Sequence, residues 1–119
     1  MPHVADRVKD SGTVTGTGAV TLSGTPTTGF RAFASSFNVG DYIWYCIDDG
    51  VGNWEVGYGA LTGATTLSRD SISSSSNSNN IVTFGASTTV TVFCDAAADL
   101  IEDSAYSRST ASRMNLLMQ

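Results

Sequence analysis

The residue types that could do chemistry are few and dispersed. Catalysis by covalent or acid–base routes needs a nucleophile, a base and an orienting group within reach of one another. The only histidine is His3, in a segment expected to be peripheral or mobile, so neither a Ser-His-Asp nor a Cys-His arrangement has a second candidate base. Cys46 and Cys94 stand in no C-x-x-C or Cys/His ligand spacing, which argues against a zinc site. Both fall in predicted strands and read as buried apolar thiols; whether they pair is left open, because a disulfide needs Cα atoms within about 7 Å. Asp48, Asp49 and Asn53, set around Gly50 and Gly52, could offer oxygens to Ca²⁺. They lack the loop length and closing Glu of an EF-hand, and Asp and Gly are what a tight turn requires. Gly16-Thr17-Gly18 and Gly57-Tyr58-Gly59 are too short for a phosphate loop and lie within strand patterns. The remaining acids sit mostly at turns and strand ends, which does not suggest a carboxylate pair facing across a cleft. These patterns predict no enzyme, no cofactor and no metal. Trp44, Trp54 and Tyr58 remain, as aromatic rings able to pack in a core or interface or to stack on a sugar.

Composition narrows the classes further. A chain of 119 residues fits one domain. Eleven acidic and six basic residues give a net charge of −5, and the cations form no stripe along the sequence. Nucleic-acid affinity depends on clustered cations neutralising phosphates, so direct binding to DNA or RNA is not expected, and an anionic membrane surface would repel the chain. Charged residues make up 14% of the chain, below the usual ~25%. Its polarity comes instead from Ser, Thr, Gly and Asn. The first residues lack the basic and apolar regions of a secretory signal, and no apolar run is long enough to span a bilayer. Assembly in a cytoplasm is the expectation.

Periodicity then indicates which elements would carry these residues. Val4 to Lys9 reads as an edge strand or an arm. Thr13 to Leu22 alternates β-branched residues with Gly and polar partners, the period of a half-exposed strand, with Gly16 and Gly18 marking a bulge or a close backbone approach. Phe30, Phe33 and Phe37 recur at helical spacing and predict a short helix over 30–37 that packs on a sheet. Asp41 to Asp48 is the strongest strand, with Ile43, Tyr45 and Ile47 on one face and Tyr42, Trp44 and Cys46 on the other. Residues 49–52 form a turn, and 53–59 return as the second arm of a hairpin with Trp54, Val56 and Tyr58 on one face. Residues 65–70 predict a short strand and Ser73 to Asn80 a solvated loop. Two further strands follow, 81–84 and 88–94, with Gly85-Ala86-Ser87 as a turn. After residue 94 the composition shifts to Ala, Leu, Met and mixed charge. Residues 96–106 predict a helix capped by Asp95, and Leu116, Leu117 and Met118 form an apolar end suited to docking. The expected fold is mainly β, a small antiparallel sandwich or barrel with one short helix and a partly helical C-terminal tail. Residues 1–94 would form a β domain with an N-terminal arm and 95–119 a C-terminal attachment segment.

Taken in order, several short runs resemble a β module found near the N-terminus of tailed-bacteriophage fibre and other virion structural proteins. The resemblance is carried by Asp6-Arg7-Val8, Thr15-Gly16-Thr17-Gly18, Thr21-Leu22-Ser23-Gly24, Gly29-Phe30-Arg31-Ala32-Phe33, Tyr45-Cys46-Ile47, Asn53-Trp54-Glu55-Val56-Gly57, Thr66-Leu67-Ser68-Arg69-Asp70 and Val82-Thr83-Phe84-Gly85-Ala86. It implies a virion structural component, assembled in the host cytoplasm as a homo-oligomer and with other virion proteins as partners: a tail-associated adaptor or fibre base. Fibre proteins usually continue such a module into shaft or receptor-binding sequence, and a single short tail follows it here. The alternatives are a capsid decoration (cement) protein and a carbohydrate-binding module for host-surface glycans. Trp44, Trp54, Tyr58, Leu116, Leu117 and Met118 are the interface candidates.

Overall fold

The computed structural model describes residues 2–95, which form seven strands and a single turn of helix. The strands are β1 (Lys9–Gly16), β2 (Val20–Leu22), β3 (Tyr42–Asp48), β4 (Trp54–Gly63), β5 (Thr66–Leu67), β6 (Ser71–Ser75) and β7 (Phe84–Cys94); α1 (Phe33–Ser36) lies between β2 and β3. All strand pairings are antiparallel. The order β3-β7-β1-β2-β5-β4 closes through a second β3–β4 pairing, giving a six-stranded barrel with β6 outside it, paired to β4. Closure removes the free edges that a sheet would otherwise expose to other chains.

Strand alternation fills the interior. From β1, β2 and β3, side chains such as Val14, Val20, Leu22, Ile43, Tyr45 and Ile47 point inward; in β1 and β2 the alternate Ser and Thr residues face water, whereas in β3 the alternates are Tyr42, Trp44 and Cys46. Burial of apolar area at about 25 cal/mol per Å² makes this alternation the main force setting register, because a one-residue slip would turn every inward side chain outward. The helix is one turn long, shorter than the 30–37 spacing suggests. Only Phe33 and Phe37 of the three rings enter the core, with centroids 6.2 Å apart. Phe30 stays outside the helix, half-buried beneath the Arg7 guanidinium, which lies 3.9 Å from its ring centroid.

Other boundaries also differ from the sequence expectation. The run 13–22 is not one strand: it folds as the β1–β2 hairpin, turning at residues 17–19. Gly16 has φ of 59° and lies at a register shift against β7, so the bulge reading holds there. The expected turn at 85–87 is a bulge within β7, where Val14 pairs with Thr88 but Gly16 pairs with Phe84. Both halves of β7 use β1 as partner and so run in one direction. Ser87 takes φ of 50° to absorb the extra residues, and its N–H donates to Thr15 Oγ1 at 2.9 Å. Part of the serine-rich stretch expected as loop is β6, whose ladder to β4 uses backbone groups that side-chain composition does not report. The N-terminal arm is pinned: His3 forms a parallel bridge to Ile43, donating to the Tyr42 carbonyl and accepting from the Trp44 N–H. It takes the edge of β3 that β7, paired only with Tyr45–Asp48, leaves open.

Candidate functional site

The β3–β4 hairpin carries the aromatic candidates on its outer face. Register places Trp44 opposite Tyr58, Tyr42 opposite Ala60 and Asp48 opposite Trp54. The Trp44 and Tyr58 rings meet edge to face at 5.2 Å and 77°, and Tyr42 meets Tyr58 likewise at 6.1 Å and 79°. The structure therefore brings Trp44, Tyr58 and Tyr42 together and leaves Trp54 at the far end of the hairpin. Tyr42 is 48% exposed and Trp54 39%, while Trp44 and Tyr58 are half-buried. The Trp44 indole N–H is enclosed and meets no acceptor among the described residues. Beside Tyr42 and Tyr58 an open cleft of about 380 Å³ is lined also by Pro2 and Asp70. Asp70 accepts from Ser68 Oγ at 2.8 Å through Oδ2. Leu116, Leu117 and Met118 lie outside the described residues, as do the predicted helix 96–106 and the rest of the attachment segment.

Directly beneath this face lies a polar cluster that sequence reasoning did not single out. Trp54, Val56 and Tyr58 take the outer face of β4, so Glu55 points into the barrel and is fully buried. Arg69 reaches it with two bonds, Nη2 to Oε1 at 2.7 Å and Nε to Oε2 at 2.9 Å. Tyr45 donates its hydroxyl to Oε2 at 2.7 Å and the Val82 N–H donates to Oε1 at 3.0 Å. The remaining guanidinium N–H groups donate to the carbonyls of Gly16, Gly18 and Val82. Arg69 thus ties the β1–β2 turn, the outer hairpin and the approach to β7 to one carboxylate. Burial pushes the Glu55 carboxyl up, but the hydrogen bonds from Arg69, Val82 and Tyr45 outweigh it and hold its pKa below the ordinary value. Burial, then the Glu55 charge, raises the Tyr45 phenol far above its usual range, so Tyr45 serves as a neutral donor. The sequence signal was Glu55 alternating with Gly57 and Gly59, a polar residue on a face otherwise without side chains.

A second buried acid, Asp10, accepts from the Ser11 N–H, the Ser23 hydroxyl and the Gly24 N–H, locking the exit of β2 to β1. Both buried acids sit within strands, not at turns. The Asp48–Asn53 turn uses its oxygens internally: Asp49 accepts from Asn53 Nδ2 at 2.7 Å and from the Val51 N–H at 2.8 Å, which lowers its pKa, and Asp48 accepts from the Gly50 N–H. Among the described residues no group of three His, Cys, Asp or Glu side chains is placed to hold a metal ion. Both cysteines are free. Cys46 lies opposite Phe93, and Cys94 opposite Tyr45, so the two thiols project from opposite sides of adjacent strands. Burial, reinforced by Asp95 and Asp48, pushes the Cys46 thiol up to about 12, and burial also raises that of Cys94. His3 is exposed, with Nε2 4.0 Å from Asp41 Oδ1. Comparisons with family models, with curated proteins and with solved structures found no match to the chain.

Proposed function

We propose that this chain is a structural component of a tailed-phage virion, a tail-associated adaptor or fibre-base module that holds other subunits. The observation that carries the reading is the outer face of the β3–β4 hairpin. Tyr42 and Trp54 are exposed there while Trp44 and Tyr58 are braced edge to face, on a barrel whose interior is already filled. Aromatic residues are enriched at protein interfaces because a rigid ring buries much area at little entropic cost. The ordered motifs from Asp6 to Ala86 that resemble the phage β module supply the context. Self-association or contact with another virion protein would cover the face; a cement protein on the capsid would use the same surface.

A carbohydrate-binding role is the second reading, favoured by the open cleft that Tyr42, Tyr58 and Asp70 line together. Sugar sites combine a stacking ring with a few polar groups that fix orientation. Mass spectrometry of separated heads and tails would place the chain, and hydroxyl-radical footprinting of intact particles would separate the two readings. Protection of Tyr42 and Trp54 in the particle, relative to the free chain, supports a subunit contact. Full reactivity of both, with the chain present in the tail, turns the assignment towards glycan. Absence of the chain from purified particles overturns the virion assignment.

A further inference from the structure

Among the described residues, the cations are less scattered in space than in sequence. Of the six, Arg69 is consumed by Glu55, and Arg108 and Arg113 lie outside the described residues. Of the other three, Arg7 and Lys9 converge, lying 3.9 Å and 5.0 Å from the Phe30 ring centroid, while Arg31 donates through Nη1 to the Asp6 carbonyl at 3.3 Å. Two like charges over one ring repel each other, and no carboxylate among the described residues lies within ion-pair distance of any of the three. Arg7 and Lys9 line a groove of about 320 Å³ whose other walls are apolar, formed by Val8, Phe30, Phe93 and Cys94. Such a groove suits a segment that is both acidic and apolar.

We propose that this groove docks the Asp99-Leu100-Ile101-Glu102-Asp103 segment of the same chain. Three acids flank two branched aliphatic residues there, complementary to two cations beside an apolar floor. The chain leaves the barrel at the groove itself, because Cys94 is part of its wall. Asp99 follows five residues later, and five extended residues span at most about 17 Å. A link this short holds the segment at an effective concentration of order millimolar, which favours the chain's own segment over a second copy's. Docking would neutralise the paired cations and set the direction in which residues 104–119 leave the barrel, whatever particle the protein serves. Nucleic acid is a poorer occupant for a chain of net charge −5.

Heteronuclear NMR on the full chain tests this. In the wild type, nuclear Overhauser contacts should join the Phe30 ring to the Leu100 and Ile101 methyls. The combined variant Asp99→Asn, Glu102→Gln, Asp103→Asn should shift the resonances of Arg7, Lys9, Phe30 and Phe93 while leaving Tyr45 and Ile47 unchanged. About 1 M NaCl, where the Debye length falls to about 3 Å, should reproduce those shifts in the wild type. Shifts confined to residues 95–119, or the absence of the Phe30 contacts, overturn the proposal. Contacts seen only between labelled and unlabelled copies in a mixed sample overturn the assignment to the same chain.

Discussion

Glu55 shows how one residue can organise a small barrel. An ionised carboxylate without partners would be expelled from the interior, and removing one member of a buried ion pair typically costs about 3–5 kcal/mol. Here Arg69, Tyr45 and Val82 satisfy it completely. Because its folded pKa lies below the unfolded value of about 4.3, the ionised network contributes fully above that pH and is lost as pH falls through the folded pKa. Glu55→Gln cannot titrate, so its urea midpoint should fall less steeply than that of the wild type on acidification below about pH 4.3. Parallel midpoints for the two proteins across that window would place acid sensitivity at other carboxylates. Phe33 makes the apolar counterpart: it is 1% exposed in the core, and Phe33→Ala should cost about 3–5 kcal/mol. A loss below about 0.5 kcal/mol in chemical denaturation would contradict its place in the core.

At the scale of elements, β4 does the most work, pairing with β3, β5 and β6 along its length. Its inward glycines make this possible. A Cβ at Gly59 would stand 1.7 Å from the Ser68 carbonyl oxygen and one at Gly57 2.1 Å from that of Ser71, so the chain linking β5 to β6 occupies the space a side chain would need. Gly59→Ala should therefore lower stability by about 1–3 kcal/mol or more, since backbone has to move. Gly63→Ala is the matched control, because its Cβ would meet Thr66 at an ordinary 3.6 Å. Equal thermal midpoints for the two variants would show that the Ser68–Ser71 crossing yields easily. The hairpin 42–58 and its faces were legible in the sequence because β-branched and aromatic alternation is strong there. The two-residue β5, the serine-rich β6 and the bulge in β7 were not, since each is defined by backbone partners remote in sequence.

At the scale of the whole barrel, closure of the sheet leaves side-chain faces as the surfaces available for association among the described residues, apart from the outer edge of β6. On the proposed assembly role, deleting residues 107–119 should leave the unfolding midpoint of the barrel unchanged and reduce its incorporation into particles. Normal incorporation of the shortened protein would move attachment to the hairpin face or the N-terminal arm. Local pattern alone determined that the chain is mainly β, that Asp48–Asn53 is a turn, and that β3 is apolar on both faces; that its outer face is only partly covered, with Tyr42 exposed, came from the structure. The first three features depend on period and on residue chemistry within a few positions. Barrel closure, the meeting of Arg7 and Lys9 with the Phe30 ring, and the pairing of Glu55 with Arg69 were decided only by tertiary structure. Each joins residues whose separation along the chain carries no periodic signal, and an acid on an inward face does not announce which distant cation will reach it.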